Sequence, residues 1–240
     1  RSVLTTLVAT GVYGVVVGSL VARFPTLLKA NPGFERIIEH LGGTRVLADA
    51  FTTYMVQIGA IALGAWACAL VLRALTEENH GRVTLLVASG ASRGGVLDGM
   101  TVTALGAGVC GTVLWGVGIG AGRAIGDHHV DSLGAGALAG LVAVPALLVV
   151  VAFAVACVGV SRRLAWCVWL AIGWCGAVAI LRTYLGLPGL VLDVSPFWHQ
   201  PSVPLRGEWW EPTCALAAVA VVLGSIGRSA YRRRELGAAG

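Results

Sequence analysis

Apolar residues in this chain neither alternate with polar ones nor form narrow stripes; they run uninterrupted by charge for whole helical lengths. The charge-free stretches are Ser2–Ala22, Ala50–Leu72, Gly99–Gly122, Ser132–Ser161, Leu164–Leu181 and Pro212–Gly227. All but the last approach or exceed the ~20 residues a helix needs to cross ~30 Å of hydrocarbon. The last is shorter, and Arg228 extends it to about Ala230 by carrying its guanidinium toward the interface. The pattern predicts an all-α polytopic membrane protein whose transmembrane helices occupy about 2–22, 50–72, 96–120, 133–160, 164–182 and 212–230. Ser2–Ala22 is too long for a signal-peptide core and lacks a small-residue cleavage site, so it reads as a true span.

Composition strengthens this reading. Of 240 residues, 57% are apolar and 12% charged, against ~25% charged in ordinary globular chains. Mean hydropathy is +0.82. So little charge cannot cover a soluble surface. The single lysine, Lys29, is followed by Ala30, so the chain has no Walker A sequence and no P-loop for ATP. Cys68, Cys110, Cys157, Cys167, Cys175 and Cys214 lie within or beside apolar stretches and lack the paired spacing of a zinc site. They read as small core residues. The pI near 9.1 comes from arginines at membrane edges rather than from a repeating basic face, which excludes a nucleic-acid partner.

Arginine placement sets the orientation. Both termini fall on the cytoplasmic side, chiefly through Arg162-Arg163 and the Arg232–Arg234 tail. In the first outer loop, Asn31-Pro32 is a helix start, and Phe34, Ile37, Ile38 and Leu41 then follow a helical period before Gly42-Gly43 stops it. This is a short amphipathic helix on the outer face, or a packed loop helix with no role of its own. Gly116, Gly118, Gly120 and Gly122, with Gly14/Gly18 and Gly136/Gly140, give the small-residue spacings that let helices approach closely in lipid. The segment 183–211 holds Pro188, Pro196, Pro201 and Pro204 yet stays apolar, as an extracellular re-entrant or interfacial element would. Trp198, Trp209 and Trp210 suit the head-group level.

The inner segment 73–95 carries the most specific signal. It includes Glu77-Glu78-Asn79-His80-Gly81-Arg82, then Leu85-Leu86, and ends near Ser92-Arg93. Val83, Leu86 and Val87 share a helical face. The stretch is either a solvated loop helix or a docking helix for a soluble partner. The pattern E-E-x-x-G-R-x-x-L-L followed by S-R resembles the coupling segment of ABC-2-type exporter permeases, most closely the membrane subunit of exporters for polyketide and tetronasin-like antibiotics. The outer Asn31-Pro32 helix ending Leu41-Gly42-Gly43, the run Asp193-Val194-Ser195-Pro196-Phe197 with His199, and the tail Tyr231-Arg232-Arg233-Arg234-Glu235 are similar to that family's landmarks in order.

The resemblance implies a type V exporter-like half-bundle in the bacterial cytoplasmic membrane, moving hydrophobic or amphiphilic compounds outward: antibiotics, drugs or lipids. It implies a dimer of ABC ATP-binding subunits as partner, holding ATP and Mg that this chain itself does not hold. Glu77, Glu78, Gly81, Arg82, Leu85, Leu86, Ser92 and Arg93 would then couple this chain to the ATPase. Because such permeases usually carry two six-span halves, a second half is implied, on a longer chain or as a partner. In the family's fold the second and fifth spans line the pathway, which singles out Thr53 and Gln57, one turn apart, and the aromatic residues Trp166, Trp169 and Trp174. Each also has a plainer reading, since tryptophans pack in bundles and anchor at interfaces. Asp127-His128-His129 with Asp131 offers metal-ligand types, but adjacent histidines on a short loop rarely converge on one ion. Two further classes fit a bundle without a nucleotide site: an ATP-independent secondary carrier and a non-transporting membrane scaffold. No mid-span ionisable residue supplies a proton relay for the first.

Overall fold

The computed structural model describes residues 2–29, 44–79, 93–185, 188–205 and 207–233. The helices are α1 (Ser2–Lys29), α2 (Thr44–Asn79), α3 (Arg93–Asp127), α4 (Asp131–Val160), α5 (Ala165–Leu185), the single turn α6 (Gly189–Leu192) and α7 (Trp210–Arg233). Short 3-10 turns occupy Arg162–Leu164 and Pro196–His199. No strand occurs among the described residues. Six segments are long and apolar enough to cross a membrane: Ser2–Arg23, Val46–Arg73, Leu97–Asp127, Asp131–Val160, Arg162–Leu181 and Trp210–Arg233. The protein is therefore an all-α polytopic membrane protein, as the charge-free stretches predict.

Several hydroxyl side chains within these helices are satisfied locally. Thr6 Oγ1 donates to Ser2 O at 3.0 Å and Thr10 Oγ1 to Thr6 O at 2.8 Å. Thr103 Oγ1 likewise donates to Gly99 O at 2.8 Å. A hydroxyl that folds back on its own helix needs no water, which makes it tolerable in hydrocarbon. The α3–α4 turn is tight: His128 sits at φ 58°, in the left-handed region. Asp127 braces this turn, its carboxylate accepting His129 N–H at 3.0 Å and Ser132 Oγ–H at 2.6 Å.

The chain divides into two compact units. The first comprises Arg1–Ala60, Val109–Val144 and Gln200–Pro212. Its centre is the glycine-rich part of α3. Residues two apart on a helix face nearly opposite ways and residues four apart share a face, so the glycines sort into two seams. Gly118 and Gly122 lie against α1; a methyl on Gly118 would stand 2.6 Å from Gly11 O. Gly116 and Gly120 lie against α4; a methyl on Gly116 would stand 2.5 Å from Gly136 O, and one on Gly120 2.7 Å from Leu133 O. Backbone meets backbone on both sides, the packing that small residues permit where lipid supplies no hydrophobic drive. Trp115 fills the remaining side. Its ring stacks on Tyr13 of α1 with centroids 5.8 Å apart, lies across Gly59, and donates Nε1–H to Met55 O at 3.1 Å.

The second unit comprises Ile61–Gly108, Pro145–His199 and Thr213–Gly240. Here α4 supplies most of the core, with Leu147, Val151, Ala154 and Val158 fully enclosed. Its Gly159 meets Gly227 of α7, and a methyl on Gly227 would stand 2.5 Å from Val155 O. Cys68 Sγ–H points to Val150 O at 3.6 Å. The cysteines are free thiols, and Cys68, Cys157 and Cys175 are buried.

Candidate functional site

Within the second unit, the segment after α5 folds onto the helices rather than away from them. Pro188 breaks the chain, α6 follows, and the backbone then satisfies itself: Val191 N–H to Pro188 O at 2.9 Å, Asp193 N–H to Gly189 O at 2.9 Å and Ser195 N–H to Leu192 O at 2.9 Å. A non-helical segment can sit at depth only if its peptide groups are paired in this way. Ser195 and Phe197 are buried. Val194 and Pro196 face a cavity of about 370 Å³ whose other walls include Val149, Val150 and Phe153 of α4, Trp174 of α5 and Leu223 of α7. Phe153, Trp174 and Leu223 lie well inside their helices, away from the ends.

The cavity is apolar. Trp174 Nε1 is closed to solvent and has no hydrogen-bond partner among the described residues. A buried, unpaired donor costs about 1–3 kcal/mol unless something accepts from it. The three tryptophans of α5 are thus placed differently. Trp174 borders the cavity, whereas Trp166 and Trp169 are 61% and 50% exposed on the outside of this chain.

Thr53 and Gln57 belong to the first unit. Thr53 Oγ1 donates to Asp49 O at 3.1 Å and accepts Val203 N–H at 3.2 Å. Its hydroxyl therefore ties the segment 200–212 to α2. Gln57 is buried one turn further along.

A polar cluster in the same unit has no counterpart in the sequence reading. Arg123 of α3 is 2% exposed. Its Nη1 donates to Asp49 Oδ1 at 2.8 Å and to Thr52 Oγ1 at 2.8 Å, and its Nη2 lies 3.9 Å from Asp127 Oδ2. The guanidinium joins the start of α2 to the end of α3, and Asp127 passes the tie on to Ser132 at the start of α4. A sequence signal existed: Asp49 immediately precedes one charge-free stretch and Arg123 immediately follows another, at ends that the alternating topology puts on the same side.

Asp127 is engaged by Arg123 and Ser132, and no group of three metal-ligand side chains occurs among the described residues. Of the coupling segment, α2 carries its helix through Glu77 and Glu78, and Arg93 opens α3. Gly81, Arg82, Leu85, Leu86 and Ser92 lie outside the described residues, as does the amphipathic stretch at Asn31–Leu41.

Long apolar helices, hydroxyls turned back on their own backbone and a buried ion cluster define the class: a multi-pass membrane protein. Residues 1–232 match the family described as the multidrug efflux system permease Rv1217c, C-terminal domain, and the chain belongs to that family. It is similar to the multidrug efflux system permease protein Rv1217c of Mycobacterium tuberculosis (strain ATCC 25618 / H37Rv), 29% identical over 226 residues. That alignment covers 93% of this chain and 41% of the relative, so the chain spans about two-fifths of the relative's length. The family is one of permeases, transport proteins rather than enzymes, and the exporter-permease resemblance holds at that level.

Proposed function

We propose that this chain is one membrane half of an ATP-driven exporter for hydrophobic or amphiphilic compounds. It would act in a bacterial cytoplasmic membrane with both termini inside, and be of the polyketide and tetronasin-like exporter type. The observation that carries the reading is the family match over nearly the whole chain, joined to an apolar cavity well inside the helices. The described residues contain no P-loop, so nucleotide energy must enter through a cytoplasmic contact. Segment 73–95 is where it would enter: Glu77, Glu78, Arg82 and Arg93 offering charge to a dimeric ATP-binding subunit, and Leu85 and Leu86 offering apolar anchors. ATP and Mg would be held by that partner. The relative's greater length leaves room for a second six-span half, on the same chain or another.

On this reading the segment 188–199 is re-entrant, and the cavity beneath it receives substrate. Trp174 would offer its indole ring to an apolar body. Thr53, Gln57, Trp166 and Trp169 would border the rest of the path. The test is reconstitution with the co-purified ATPase, measuring vanadate-sensitive ATP hydrolysis and vesicle transport of a lipophilic dye. Glu77→Ala with Glu78→Ala is expected to lower hydrolysis and transport together, and Trp174→Ala to lower dye-stimulated hydrolysis while leaving the basal rate. Transport that persists without ATP and collapses with a protonophore would replace this reading with a secondary carrier.

A further inference from the structure

A second cavity in the same unit differs from the first in one respect: charge sits at its end. It is a groove of about 280 Å³ between α3, α4 and α7, bordered by Thr101 and Leu105, by Val151 and Val155, and by Ala217 and Gly224. One turn beyond Gly224 along α7 is Arg228, and one turn beyond that is Arg232. Asp98, one turn before Thr101 on α3, takes both: Arg228 Nη2 at 2.6 Å and Arg232 Nη2 at 3.8 Å. Two guanidiniums thus share one carboxylate, which leaves a surplus positive charge. Both arginine side chains remain more than half exposed, at 53% and 57%. Their remaining donors are available to an anion.

We infer that this groove holds one acyl chain of an anionic phospholipid, with its phosphate at Arg228 and Arg232. The dimensions fit. From Arg228 to Ala217 the helix rises about 16 Å, and one leaflet contributes about 15 Å of hydrocarbon. A chain seated in the groove therefore ends near the bilayer centre while its head group lies level with the arginines. A neutral amphiphile would fill the groove equally well but would leave the surplus charge unmatched. Basic pockets between helices at one membrane face favour anionic head groups for this reason.

The experiment is native mass spectrometry of the full protein in mild detergent, titrated with dioleoylphosphatidylglycerol or dioleoylphosphatidylcholine. One surplus guanidinium predicts about fivefold tighter retention of the anionic lipid. Arg228→Gln with Arg232→Gln is expected to bring the two lipids to parity, and Arg228→Lys with Arg232→Lys to keep most of the preference, which separates charge from folding. Ala220→Leu, which fills the groove away from the arginines, is expected to weaken both lipids. Equal binding of the two lipids to the unmodified protein would overturn the assignment. So would a preference that survives the glutamine pair, or lipid binding untouched by Ala220→Leu.

Discussion

Replacing Arg123 by methionine removes the only cation in contact with Asp49 among the described contacts and leaves that carboxylate facing a largely closed site. Breaking a buried ion pair from one side costs about 3–5 kcal/mol, because the surviving charge is stranded. Here the figure belongs at the lower end. Asp49 keeps 16% of its side chain exposed and Asp127 keeps 24%, so water reaches both. Asp127 also retains Ser132 Oγ and His129 N–H, and Thr52 Oγ1 retains Ala48 O at 2.8 Å. About 3 kcal/mol is the expected loss. Arg123→Met combined with Asp49→Leu should recover most of it, since an apolar pair of similar volume is often neutral or better than the ion pair it replaces. With Asp49→Leu also destabilised by itself, the interaction energy from the four-way cycle should exceed about 2 kcal/mol in magnitude. Equilibrium unfolding in mixed dodecyl maltoside and SDS micelles, followed by tryptophan fluorescence, measures each variant. A single variant as stable as the parent would refute the argument, as would a double variant no more stable than Arg123→Met.

Two glycines two positions apart on α4 give an internally controlled comparison. Gly136→Ala places a methyl 2.5 Å from Gly116 O and should cost about 1–3 kcal/mol in the same unfolding assay, whereas Gly134→Ala meets nothing within 4 Å and should be neutral or slightly stabilising. Thr53→Val removes the acceptor for Val203 N–H and should cost about 1 kcal/mol. Hydrogen–deuterium exchange at Val203 should quicken, and unchanged protection there would show that the hydroxyl does not hold that segment.

The spans were legible because hydrocarbon imposes one crude requirement, length without charge, and that requirement is written locally. The glycine seams were legible as spacing, since Gly116 with Gly120 and Gly118 with Gly122 show which residues share a face. Spacing could not say which neighbour each face meets, and the structure assigns one pair to α4 and the other to α1. The Arg123 cluster was not read because its partner Asp49 is 74 positions away, and each charge alone resembles an ordinary membrane-edge residue. Asp98 and Arg228 escaped for the same reason: their pairing is a property of two helix ends that meet only in the fold. Trp166, Trp169 and Trp174 group together in the sequence because one helix carries all three. The structure separates them, since the five-residue step from Trp169 to Trp174 turns the ring well round the axis.

The double glycine seam of α3 also bears on how such a protein can change over generations. Hydrogen is the smallest side chain there is, so nothing lies between the present contact and a collision with a neighbouring carbonyl. Drift cannot approach these four sites by small steps. A lineage adapting to a new cargo would have to write its novelty elsewhere, around the cavities or on the outward faces, while the spine stayed as it is.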